Sequence, residues 1–198
     1  MKMKVRHEAY SLTEEIPVLA YLKKRKLVKY FSREISAAMV CLAHLLAGET
    51  LPGKTPFYFA RSHKEYEDFD LQTLAKACRD EVGKFSQQQF INRGIASMSP
   101  LIQFKILYNM PLSFIALEYQ LTGDNAVLYS SAAGLLLQAL HGPADPPLLL
   151  GAGRMYGDGH VEVGFALASK VELAQLPFPA ADVDAIDMFR AWAQRKNQ

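Results

Sequence analysis

Apolar residues in this chain fall into short runs separated by turn chemistry, and the spacing within each run predicts its element. Val5–Tyr10 reads as a strand, and Ile16–Leu22 is apolar but short. Ser32 can cap a helix whose apolar positions then fill nearly every face to Leu46, so that helix is expected to be buried on most sides. Gly48 ends it, Leu51-Pro52-Gly53 turns, and Pro56–Ala60 reads as a buried strand. A polar loop, Arg61–Asp70, leads to Leu71–Lys84, where Leu71, Leu74, Ala75, Cys78 and Val82 recur at helical spacing. Leu112–Leu121 predicts a helix closed by Gly123. Ala126–Tyr129 predicts a short strand and Ala132–His141 a helix of small and apolar residues. After the break at Gly142–Pro147, Leu148–Gly153 and Val161–Ala168 predict two strands joined as a hairpin through Met155–Gly159. Pro177 and Pro179 interrupt the chain before a terminal amphipathic helix over Asp182–Arg195. Strands alternating with helices, then two adjacent strands, predict an α/β fold with a mixed sheet.

Composition narrows the classes. The 198 residues are half apolar, enough for one sizeable core in one domain spanning 1–198. A net charge of +2 with 21% charged residues argues against a molecule that binds nucleic acid with its whole surface. The longest nearly uncharged apolar run, Ile35–Gly48, is 14 residues, shorter than a membrane span. The N-terminus shows no secretory apolar region, and Cys41 and Cys78 stand apart without a CxxC pairing. These features predict a soluble cytoplasmic protein whose thiols are free and buried or half-buried, with a single disulfide as the alternative. One run breaks the charge balance: Lys23-Lys24-Arg25-Lys26, with Lys29 and Arg33, reads either as a solvated loop or as a dock for an acidic partner.

Candidate chemistry is sparse. Nucleotide-loop, P-loop, zincin and serine-hydrolase motifs are absent from the sequence. Its five histidines, His7, His44, His63, His141 and His160, lie in contexts without metal-ligand spacing, so neither a metal nor a cofactor is expected. The sharper candidate is Ser130-Ser131-Ala132, where a strand runs through small residues into a helix. Backbone N–H groups at such a helix start favour developing negative charge, so the turn could host a serine nucleophile. A serine also needs a base within reach. The competing reading is that the two serines cap the helix and permit tight packing.

The order of parts from Ser99 to Gly134 resembles the ketosynthases, the condensing enzymes of fatty-acid and polyketide synthesis. Ser99-Pro100 matches that family's Ser-Pro start, Asn109-Met110 its Asn-Met pair, and Gly123 the glycine before the nucleophile strand. The likeness extends over roughly Leu27 to Ser169 and includes the buried strand and Gly-Ala-Gly segment at Leu148–Gly153. It implies the N-terminal half of a thiolase-like fold, a mixed sheet packed by helices. The family's cysteine falls on Ala132 or on Ser131, depending on which glycine is aligned, and is missing in either alignment. By the same resemblance the catalytic histidines belong to a later half and are not expected within these 198 residues.

By this resemblance the chain is expected to be a non-catalytic subunit like the chain-length factors of type II polyketide and aryl-polyene-like pathways. It would form a heterodimer with a full-length ketosynthase, stabilise it and shape its acyl tunnel. Acyl carrier protein would be met through that partner. Residues implied at the interface and tunnel are Phe104, Ile106, Leu107, Tyr108, Asn109, Met110, Val127 and Tyr129. If Leu101–Tyr108 is extended, its alternation puts Phe104, Ile106 and Tyr108 on one face. The alternatives are a standalone acyl-processing enzyme using Ser131 and a homodimeric acyl-binding scaffold.

Overall fold

A computed structural model of the chain describes residues 2–62, 71–97, 101, 104 and 107–196. Five strands form one sheet: β1 (Lys4–Tyr10), β2 (Phe57–Arg61), β3 (Asn125–Tyr129), β4 (Leu148–Met155) and β5 (Val161–Ala168). Their order is β1-β5-β4-β2-β3. β2 is parallel to β3 and β4, and β5 is antiparallel to both of its neighbours. The sheet is therefore mixed, with β3 and β1 at its edges.

The pleat sorts side chains between two cores. Phe57, Phe59, Leu149, Val163 and Phe165 enter one, under α1 (Arg33–Leu46). Tyr58, Ala60, Leu148, Leu150 and Ala166 enter the other, under the later helices. Successive strand residues point to opposite faces, so a sheet helix-covered on both sides needs continuous apolar strands. That explains why PFYFA and LLLGAG do not alternate. The glycines of β4 answer a packing demand: a Cβ on Gly151 would lie 2.6 Å from the Phe165 ring and 2.7 Å from that of Phe59.

Ser32 caps α1 by accepting the Ile35 N–H at 3.2 Å. The helix ends on two residues with positive φ, Ala47 at 48° and Gly48 at 90°. The run over Leu71–Lys84 divides where one helix was expected: α2 covers only Leu71–Ala77. The Asp80 carboxylate accepts the Val82 and Lys84 N–H groups, and Arg79 bridges Phe85. A side-chain acceptor that satisfies these donors outside a helix competes with helix continuation. Val82 consequently stands 77% exposed. A further helical stretch, α3, spans residues 87–97 with a π-helical middle at Phe90–Gly94.

α4 (Met110–Tyr119) starts two residues earlier than its apolar pattern, because Pro111 is suited to a helix's first turn. α5 (Ala132–His141) follows β3 directly. The β4–β5 hairpin leads into α6 (Lys170–Ala174), which carries a capping box between Ser169 and Glu172, and the described chain closes on α7 (Ala185–Lys196). α1 and α4 pack on one face of the sheet, while α5 and α7 pack on the other. Both cysteines are free and buried. Among the described residues no helix is long and apolar enough to cross a membrane.

Candidate functional site

The three parallel strands are in register at Arg61, which lies beside Tyr129 on one side and Gly153 on the other, and β4 continues to Met155. The crevice beyond the carboxyl ends of parallel strands is where open α/β sheets place their sites. Here it gathers a polar cluster contributed by distant parts of the chain.

Its buried half is an ion pair. Arg61 and Glu34 are each 1% exposed, and the guanidinium approaches Glu34 Oε2 at 2.7 and 2.9 Å. Arg61 also donates to the Leu107 carbonyl at 2.9 Å, and its guanidinium lies 5.0 Å over the Tyr108 ring. Glu34 occupies the first turn of α1, where the helix dipole favours a carboxylate. Its other oxygen, Oε1, has no hydrogen-bond partner among the described residues and faces Gly153, where an added Cβ would approach to 2.6 Å. That glycine keeps the space for the pair.

The other, less deeply buried half centres on Asp184. Its carboxylate accepts from Ser62 Oγ at 2.8 Å, Ser130 Oγ at 2.7 Å and the Ile186 N–H at 2.9 Å, with Arg154 at 3.7 Å. Tyr108 joins the halves by donating to the Ser62 carbonyl at 2.9 Å. Its ring stacks on Tyr129 with centroids 5.8 Å apart. Burial, with Tyr129 adding to it, pushes the Tyr108 hydroxyl up to about 12, so it remains a donor at neutral pH.

Each small residue of the turn after β3 has a structural task. Ser130 holds φ +54°, a left-handed conformation uncommon for serine. Its hydroxyl is directed to Asp184, and its carbonyl accepts the Ala185 N–H at 2.6 Å. Ser131 caps α5 by accepting the Gly134 N–H at 2.9 Å. Ala132 is fully buried, and its N–H reaches the Val183 carbonyl. Asp184 thereby clamps this turn to the start of α7. Three histidines are engaged elsewhere: His44 bonds Glu8 and Tyr21, His7 bonds Glu162, and His160 bonds Asp158. His63 lies outside the described residues. Among the described residues no group of histidine, cysteine and carboxylate side chains has the arrangement of a metal site.

The eight implied interface residues divide. Tyr108 and Tyr129 meet as a stacked, exposed pair, with Leu107 and Asn109 exposed beside Tyr108 in sequence. Phe104 has helical backbone and packs against Tyr30 and Phe114 at 5.1 and 6.4 Å, so it joins the core instead of sharing an extended face with Tyr108. Met110 and Val127 are half-buried against that core. Ile106 lies outside the described residues. Sequence reasoning passed over Glu34, Arg61, Ser62 and Asp184. The available signal was charge out of place: a glutamate opening an all-round apolar helix, and an arginine ending a wholly apolar strand. Comparison with models of known protein families and with curated proteins found no match to this chain.

Proposed function

We propose that this chain is a non-catalytic, chain-length-factor-like subunit that pairs with an active ketosynthase. The setting is type II polyketide or fatty-acid-type biosynthesis, aryl-polyene-like pathways included. The subunit stabilises the ketosynthase and shapes its acyl tunnel, while the partner brings the reactive cysteine and receives acyl carrier protein.

One observation carries the reading. At the turn where the resemblance calls for a cysteine, Ser131 caps a helix, Ala132 is buried and Ser130 is tied to Asp184. Each of these three residues thus has a part in holding the turn, which supports a structural role for it. Further support comes from β3, which pairs only with β2 among the described residues and so presents an open edge. An open edge is a template for another chain. Tyr129, 61% exposed at its end, and the neighbouring Tyr108 offer aromatic surface there. A mixed sheet covered by helices on both faces is compatible with one half of a thiolase-like fold.

Co-expression with a ketosynthase, followed by light scattering and a condensation assay, tests the proposal. We expect a one-to-one complex that Tyr129→Arg weakens, and no condensation by this chain alone with acyl and malonyl carrier proteins. Robust condensation by the isolated chain refutes the non-catalytic role, and its loss in Ser130→Ala or Ser131→Ala would identify the nucleophile. A clean monomer that ignores the ketosynthase refutes the pairing.

A further inference from the structure

A second region of the molecule is organised around positive charge. Residues 16–33 hold six basic residues and no acidic one. Removing these six from the chain's 22 leaves 16 basic residues against 20 acidic, so everything else carries a net −4. Lys23, Lys24, Arg25, Lys26 and Lys29 are all exposed. Their segment is nevertheless fixed. The buried Glu118 carboxylate accepts the Lys23 and Lys24 N–H groups at 2.5 and 3.2 Å, and Lys24 Nζ reaches the Leu117 carbonyl. Leu22 and Phe31 anchor the two ends in the core.

Tyr21 and Lys23 of this segment line a cleft of about 650 Å³, within the range of small-molecule sites. Arg6 and Lys23 line it. Arg6 gives Nε to Glu8 at 2.7 Å, and its terminal nitrogens have no partner among the described residues; nor has Lys23 Nζ. The acid in the lining, Glu49, is already paired with Lys4 at 2.5 Å. One wall is rigid, because His44 is held between Glu8 at 2.6 Å and Tyr21 at 2.8 Å. Ala43, Leu46 and Leu51 add apolar lining. A recess with low-dielectric walls and one sign of free charge focuses the field and concentrates counter-ions.

We propose that this cleft binds a small molecule with an anionic head group and a short apolar body, Arg6 and Lys23 holding the head. The inference is independent of pairing with a ketosynthase. Carboxylate and phosphate heads share the required chemistry. The flanking cations of the loop raise capture, and the recess, which a flat anionic surface could not enter, selects a discrete ligand.

Calorimetry on the full chain with hexyl phosphate and hexanoate tests it, with hexylamine and hexanol as controls. We expect at least one anion to bind more tightly than about 1 mM. Arg6→Gln with Lys23→Gln should weaken it about tenfold or more, as loss of charge-assisted hydrogen bonds implies. Thr50→Trp, an exposed lining position, should weaken it by filling the cleft. Arg25→Gln with Lys26→Gln, outside the lining, should change the affinity less than about threefold. Four results would overturn the proposal: neither anion binds, hexylamine or hexanol binds as well, the double glutamine variant retains affinity, or Thr50→Trp does. It would equally be overturned if a glutamate-rich helical peptide bound through Arg25, Lys26 and Lys29 while both small anions failed.

Discussion

Removing Glu34 isolates a guanidinium at a depth where water cannot replace the lost partner. In Glu34→Leu, Arg61 retains the Leu107 carbonyl and the Tyr108 ring but loses both contacts to Oε2. Breaking a buried ion pair from one side costs about 3–5 kcal/mol. The two surviving contacts place the expected loss near the lower end, about 3 kcal/mol. Against a total stability of about 5–15 kcal/mol, that is a large fraction. Arg61→Met should cost about as much, because it strands Glu34. The double variant should recover to within about 1–2 kcal/mol of the parent, since apolar groups of similar volume can replace a buried pair at little cost. Urea unfolding measures all four forms. The single tryptophan, Trp192, is 7% exposed in α7 and reports loss of the core by fluorescence. Single losses below about 1 kcal/mol, or losses that simply add in the double variant, would refute a desolvated, mutually dependent pair.

Acid should destabilise the fold through two half-buried carboxylates. Burial pushes Glu8 up, but hydrogen bonds from Tyr10, His44 and Arg6 outweigh it; at Glu162, Arg190 and His7 similarly outweigh burial, so both groups lie below the ordinary 4.5. Stability from such depressed groups is present above the unfolded value and disappears as pH falls through the folded one. Melting temperature should therefore drop as pH is lowered below about 5, with a shallower drop in Glu8→Gln and Glu162→Gln measured against their own neutral-pH values. The turn after β3 gives a separate expectation: Ser131→Ala should cost about 1 kcal/mol as a lost helix cap, and Ser131→Asp should restore most of it, both read by urea unfolding. If Ser131→Ala is neutral, the capping role is wrong.

Local chemistry settled much of the architecture before any tertiary contact was known. Ser32 and Ser131 have the residue type and place of caps, and both act as caps. Pro56–Ala60 and Leu148–Gly153 lack alternation because a sheet covered on both faces has no solvent side, and both are buried strands. Free buried cysteines and a mixed α/β sheet were legible for similar short-range reasons. The break in Leu71–Lys84 was less legible, because periodicity shows which face could be buried but not whether Asp80 will take the backbone donors first.

The site was decided by the tertiary structure. Glu34, Arg61, Ser130 and Asp184 are separated by 27, 69 and 54 positions, and only the sheet order and the return of α7 bring them to one end of the parallel strands. Neither propensity nor periodicity encodes such long-range meetings. The left-handed turn at Ser130 has the same origin: a serine has little intrinsic preference for φ +54°, and its bonds to Asp184 and Ala185 hold it there. Phe104 shows the converse. Its alternation with Tyr108 suggested a shared face, but contact with Tyr30 and Phe114 draws it into the core, because burying an aromatic ring outweighs the weak preference of a short segment for extension.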